Sequence, residues 1–289
     1  MIAGGPGDPG SVLPPAAPRP RSGQRASPRS IATAVISTVV VFVLLALVVV
    51  NSPGWERVQK EFFDAENFGR SAPGIIAKFA VNVRLFLIAE VLILVFGLVV
   101  AVLRSIPGPA FFPIRLLATI YVDVFRAVPG VLVIYMLGFG IPGLQIAGIP
   151  NDPFFWAVVA LTLLYSAYVS EVYRAGIESI HPSQAAAARS LGLSQFQALR
   201  YVVVPQAVRR VIPPLLNDFI GLQKDSALVG VLGYVEGLKQ AQIVSAATFD
   251  FTPYVALALV YIVITIPEAR FVDWLVARDQ RRRQAAGGV

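Results

Sequence analysis

Residues 184–205 read QAAAARSLGLSQFQALRYVVVP. The chain on either side is apolar enough to live in a bilayer, yet this stretch carries arginines, glutamines and serines. Ala185 to Leu191 is built from strong helix formers. Gly192 breaks that helix, as a glycine just past a helix end does. Ser194 can cap a second helix in which Phe196, Leu199 and Val203 fall near helical spacing. Pro205 marks where that helix must bend or yield to the next segment. The reading is helix, glycine turn, helix, presented at a membrane surface. It lies in the longest polar connection between two apolar spans, residues 174–207, and long connections with their own secondary structure are usually functional.

The 289 residues are 56% hydrophobic and 14% charged, against roughly 25% charged in a soluble domain. This composition indicates an all-α integral membrane protein. There is no cysteine, and the single histidine is His181, so disulfides, thiol chemistry and a His-rich metal site are excluded. No metal ligand set is expected. Residues 1–30 hold seven prolines and five glycines without apolar periodicity, and are expected to be a disordered tail. A spanning helix needs about 20 apolar residues. Six stretches qualify, at 31–51, 79–103, 115–138, 153–173, 208–232 and 252–274. The first is too long for a signal-peptide core and is expected to be an uncleaved span. The fifth contains Asn217, Asp218, Lys224 and Asp225, with Pro213 and Pro214 near its start. Residues 52–78 mix aromatics with charges of both signs, as an interfacial helix or a solvated loop would. Residues 276–289 form a basic tail.

Six alternating spans with the N-terminus inside place fifteen of the 24 Lys and Arg residues in cytoplasmic segments. Five (Arg57, Lys60, Arg70, Lys78, Lys239) fall outside, and four lie within or at the edges of spans. This bias puts both termini and the 184–205 stretch in the cytoplasm. The excess of positive charge is thereby accounted for without a nucleic-acid partner.

The cytoplasmic motif of ABC importer permeases is E-A-A, three residues, G, nine residues, I-x-L-P. Here Ala186, Ala187 and Ala188 are followed after three residues by Gly192, and nine residues later by Val202-Val203-Val204-Pro205. The chain resembles this family at every spacing, with Ala186 in place of its Glu and Val-Val-Val in place of I-x-L. It is similar in particular to the polar amino-acid uptake subfamily. Tyr121-Val-Asp-Val-Phe-Arg126-Ala-Val-Pro129 resembles Y-x-E-x-F-R-G-x-P. Ala167-Tyr168, Glu171, Arg174 and Gly176-Ile177 resemble A-Y-x-x-E-x-x-R-x-G-I, and Asn217-Asp-Phe-Ile with Lys224-Asp225-Ser226-Ala227-Leu228 resembles N-x-F-I and K-x-[ST]-[ST]-L. The resemblance covers residues 79–275 and leaves the span at 31–51 as an addition to a five-helix type I permease core.

The resemblance implies a permease subunit in a bacterial cell membrane, working as a dimer with itself or a similar permease. Its helix–turn–helix, with Ala186, Ala187, Ala188, Gly192, Val204 and Pro205, would fit a cleft in a separate ATPase dimer. No phosphate-binding G-x-x-x-x-G-K-[ST] occurs, so no cofactor is expected on this chain, and ATP and Mg would sit on the partner. The resemblance also implies a separate extracytoplasmic substrate-binding protein, and a polar amino acid as cargo. A permease for another small polar solute, or a non-ABC channel or secondary carrier, is the alternative; no internal repeat of the carrier kind is visible. An intramembrane enzyme lacks its residues: there is no H-E-x-x-H, and Ser226 has no histidine partner at plausible depth.

Ionisable residues at membrane depth are costly and are functional candidates. Glu90 has no basic neighbour at i±3 or i±4; it faces a polar cavity or is neutral and satisfied by another span. Arg84 can snorkel. Asp123 and Arg126, at i and i+3, share a face and can pair, either as a local bridge or as part of a path. Glu171 and Arg174 have the same spacing and are expected to anchor the exit into the cytoplasmic loop. Lys224, Asp225 and Ser226 form the most polar cluster within a span. They could line the path, or Lys224 and Asp225 could neutralise each other or pair with Asp123 or Glu90.

Overall fold

The computed structural model describes residues 28–106 and 108–286, which are helical with no strand. The expected disordered tail lies outside the described residues, apart from its last three, which open the first helix. That helix, α1 (Pro28–Val50), is apolar throughout from Val39 onward and buries none of its side chains. It belongs to a compact unit ending at Glu56, and the remaining helices form a second unit.

A short α2 (Trp55–Phe62), whose first two residues close the first unit, precedes α3 (Ala65–Ser105) in the chain. Asp64 starts α3 by accepting hydrogen bonds from the backbone N–H groups of Glu66 (2.8 Å) and Asn67 (3.1 Å). At 41 residues α3 is about 60 Å long, twice the hydrocarbon thickness. Residues 65–78 of the expected interfacial segment 52–78 are therefore the first turns of this helix. Then come α4 (Phe112–Ala127), α5 (Gly130–Tyr135), a π-helical turn Met136–Gly140, and the single turn α6 (Ile141–Gly143). The expected span at 115–138 is thus two pieces bent by 107°, broken at Val128-Pro129. Proline lacks the N–H that would continue α4.

Helix α7 (Pro153–Glu178) is capped by the Asp152 carboxylate. It packs along α3, and Leu85, Ala89 and Ile93 share one core cluster with Ala157, Leu161 and Leu164. The next helices are α8 (Pro182–Ser190), α9 (Gln195–Ala198), α10 (Val204–Asp225), α11 (Gly237–Thr248) and α12 (Thr252–Ala286). A 3-10 segment, Ser226–Leu232, follows α10.

By length and composition, Pro28–Val50, Trp55–Ser105, Pro153–Glu178 and Thr252–Arg281 can each cross a membrane, and the bent α4–α5 pair makes a fifth. The expected span at 208–232 is not among them. Its helix α10 carries Arg209, Arg210, Asp218, Lys224 and Asp225 and gives way to the 3-10 segment at Ser226. It packs instead on α7, α3 and α12. A helix with this many charges is tolerated where it lines a protein-enclosed space.

Helices α7 and α10 approach closely at Gly176, where a Cβ would collide with the side chain of Val211. Gly176→Leu is expected to destabilise the fold by about 1–3 kcal/mol, as overpacking does. Thermal unfolding of the purified protein in detergent checks this: a midpoint equal to wild type would contradict the packing.

Candidate functional site

The 182–205 stretch folds as its sequence dictates. His181 caps α8, its Nδ1 accepting from the Ser183 N–H at 3.2 Å. The helix ends in a paired turn: Leu193 N–H bonds Ala188 O at 3.3 Å and Gly192 N–H bonds Arg189 O at 3.0 Å. Gly192 sits at φ +90°, a conformation that side chains disfavour. Ser194 and Gln197 then form a reciprocal cap: Gln197 N–H donates to Ser194 Oγ (3.2 Å) and Ser194 N–H to Gln197 Oε1 (2.9 Å). Helix α9 continues through a π-helical turn, Leu199–Val203, directly into α10. Pro205 falls in the first turn of α10 and does not interrupt it.

Of the expected coupling residues, Ala188 is buried at the elbow with Ala198, while Ala186, Ala187, Val204 and Pro205 are exposed. The elbow also projects two apolar side chains that the motif does not include, Leu191 (86% exposed) and Phe196 (67%). Arg210 ties the base of this unit to α7 through the Ser179 carbonyl.

At the C-terminal end of α7, Glu171 pairs with Arg174 (2.6 Å), as the i, i+3 spacing suggested, and Arg174 also pairs with Glu178 (2.7 Å). Glu171 is further held by Arg104 from α3, a partner 67 residues away. This network staples α3 to α7.

A partly open cavity of about 330 Å³ is lined by Gly130, Leu164, Tyr165, Tyr168, Asn217, Asp218, Gly221 and Asp225, among others. The break at Pro129 ends α4 and brings Gly130 so close to Leu164 that a Cβ there would meet its side chain at 2.7 Å. Tyr165 donates to Asp225 Oδ2 at 2.8 Å. The Asp218 carboxylate has one oxygen, Oδ2, buried without a partner. Glu90 on α3 is half-buried and near enough to Asp218 for their charges to interact. Arg126 lies 5.8 Å from the Tyr168 ring centre, at the cavity's edge. Two carboxylates, Asp218 and Asp225, thus line this cavity, with Glu90 near Asp218, and its lining residues include no basic side chain.

Other expected residues lie elsewhere. Asp123 and Arg126 form no ion pair: both are exposed on α4, and Arg126 turns to Tyr168 instead. Lys224 is exposed and pairs with none of Asp225, Asp123 or Glu90. Ser226 is fully buried away from the cavity. It donates to Gln223 O (2.6 Å) and accepts from Asn82 (3.3 Å). Asn82 in turn donates to the fully buried Glu236 carboxylate (2.9 Å), which caps α11 through the N–H groups of Leu238 and Lys239 (both 2.7 Å). Ser226 therefore belongs to a knot that fastens α11 to α3. Asp218, Tyr165 and Tyr168 were missed as site residues. Asp218 carries the same signal as Glu90, a carboxylate within a span with no basic residue at i±3 or i±4.

Residues 93–281 match the model of a family described as the binding-protein-dependent transport system inner membrane component, and the chain belongs to that family. Among curated relatives, it is 40% identical over 188 residues to the "Probable glutamine ABC transporter permease protein GlnM" of Bacillus subtilis, covering 65% of this chain and 84% of that one. It is 33% identical over 195 residues to the arginine transport system permease protein ArtQ of the same organism, covering 67% and 87%. A solved structure, the crystal structure of an amino acid ABC transporter with histidines, superposes with a TM-score of 0.68. It is 32% identical over 74% of this chain and 98% of that one. The chain is thus a multi-pass membrane component of a transport system, with the all-α type I permease fold.

Proposed function

We propose that the chain is the path-forming subunit of an ATP-driven importer for polar amino acids. It works as a dimer of permeases, with both termini cytoplasmic, a separate ATPase dimer below and a substrate-binding protein outside. The observation that carries this reading is the elbow at 182–205. It is a rigid, doubly capped helix–turn–helix that presents exposed Leu191 and Phe196 and runs without a break into the helix bearing Asp218 and Asp225. Such an element suits transmission of an ATPase's closure to the interior. The relatives named for glutamine and arginine support an amino-acid cargo.

Within this reading Glu90, Asp218 and Asp225 line or approach the path, and their carboxylates would meet the cargo's ammonium group. Asp123 and Arg126, exposed together on α4, and the exposed Lys224 would face the second permease or the path between the two. Glu171 and Ser226 act in holding the helices together.

Uptake of labelled amino acids into proteoliposomes tests the reading. The vesicles would hold this chain with its co-encoded ATPase, binding protein and any second permease. Uptake is expected only with the ATPase and ATP present. Uptake that proceeds without the ATPase would replace the reading with that of a secondary carrier.

A further inference from the structure

On the side opposite the elbow, the turn between α11 and α12 presents an unusual residue. Phe249 is 88% exposed and sits at φ +55°, the left-handed region that a bulky side chain avoids. The turn is held from several directions. Phe249 N–H bonds Ser245 O (2.8 Å), and Phe251 N–H bonds Glu61 O (2.7 Å). The Phe251 ring stacks on Phe62, centres 5.1 Å apart at 13°. Asp64 N–H donates to Thr252 Oγ1 (3.2 Å), and Thr252 N–H donates to Asp250 (2.5 Å). An aromatic ring is therefore presented to solvent on a rigid, strained support, as functional positions often are.

Beside it lies a concavity of about 310 Å³ lined by Phe249 and by charged groups. Four are acidic (Glu61, Asp64, Glu66, Asp250) and two basic (Lys60, Arg70), and Arg70 is paired with Glu66. Burial raises the Asp250 carboxyl, but hydrogen bonds from Thr252 and Asn67 outweigh it and hold it below the usual carboxylate range. The lining of this concavity is net acidic, with Phe249 its one aromatic side chain.

We propose that Phe249 is a docking knob for the extracytoplasmic binding protein, entering an apolar socket rimmed by basic side chains. This rests on the importer reading, with the α11–α12 turn on the outer side. Three observations select this occupant. The family depends on a binding protein, which must meet the outer face. The ring stands among charged groups, unlike a lipid-facing residue. Its support is preorganised, so docking orders little that is not already fixed. Buried aromatic anchors within a charged rim are the usual source of binding energy in such contacts.

The test uses the complete permease–ATPase complex, both in detergent and in nanodiscs, titrated with the purified substrate-loaded binding protein. ATP hydrolysis is the readout. Phe249→Ala is expected to raise the half-saturating binding-protein concentration about tenfold or more, with basal hydrolysis and maximal rate kept. Phe249→Trp is expected to restore most of it. Glu61→Lys is expected to raise it too, and to weaken its salt dependence. An unchanged half-saturating concentration in Phe249→Ala overturns the proposal. So does a loss of basal rate together with melting temperature, which marks a purely structural role. An effect seen in nanodiscs but absent in detergent also overturns it, since the ring would then be meeting lipid. If wild-type hydrolysis ignores the binding protein altogether, the importer reading fails instead.

Discussion

Gly192→Pro is expected to reduce ATP-dependent uptake to background and to release the ATPase during detergent purification, while the chain still inserts and folds. Proline fixes φ near −65°, whereas residue 192 sits at +90°, and it removes the N–H that closes on Arg189 O. The mismatch costs about 3 kcal/mol or more, concentrated in the turn that sets the angle between α8 and α9. A Cβ at 192 meets no neighbour within 4 Å, so the effect is conformational rather than steric. Gly192→Asn, which tolerates the left-handed region, should keep most of the coupling. Uptake and ATPase retention measured side by side decide the matter. Full coupling in the proline variant would separate the elbow from transport.

Asp218→Asn is expected to raise the KM for uptake about tenfold to a hundredfold, with thermal stability equal to or above that of wild type. A hydrogen bond to a charged group contributes about 1.5–3 kcal/mol, and about 1.4 kcal/mol is a factor of ten. The opposite sign for stability follows from the resting structure. Asp218 carries a buried oxygen with no partner and lies near Glu90, so it is an unfavourable residue until something cationic arrives. A residue that costs stability and serves binding gives this paired signature. Uptake kinetics and a melting curve on the same preparation test it. A fall in both together would make Asp218 structural.

The elbow was legible because its determinants are local. The alanines, the glycine at C′, Ser194 as a cap and Gln197 three residues later lie within one short stretch, and each acts on its near neighbours. Glu171 with Arg174 was legible for the same reason. The cavity and the buried knot were not, because each is set by distant partners: Tyr165 reaches Asp225 across 60 residues in the first, and Asn82 reaches Glu236 across 154 in the second. The i, i+3 rule alone put Asp123 with Arg126, and Tyr168 on another helix overrode it. Ser226 read as path-lining from its polar neighbours, yet the turn from α10 into the 3-10 segment buries it on the other side. The expected continuous span at 115–138 is bent by 107° after Ala127, an angle that no local pattern specifies.

The close contact at Gly176 gives α10 a mechanical asymmetry. Val211 bears on Gly176 as on a fulcrum, with Arg210 fastened beside it. From Val204 to Val211 the short arm is about 10 Å, and from Val211 to Asp225 the long arm is about 21 Å. A rod pivoted there behaves as a lever of ratio about one to two. On such a lever a displacement of about 1 Å at the elbow would become about 2 Å at Asp225, in the opposite direction, where Asp225 accepts from the Tyr165 hydroxyl.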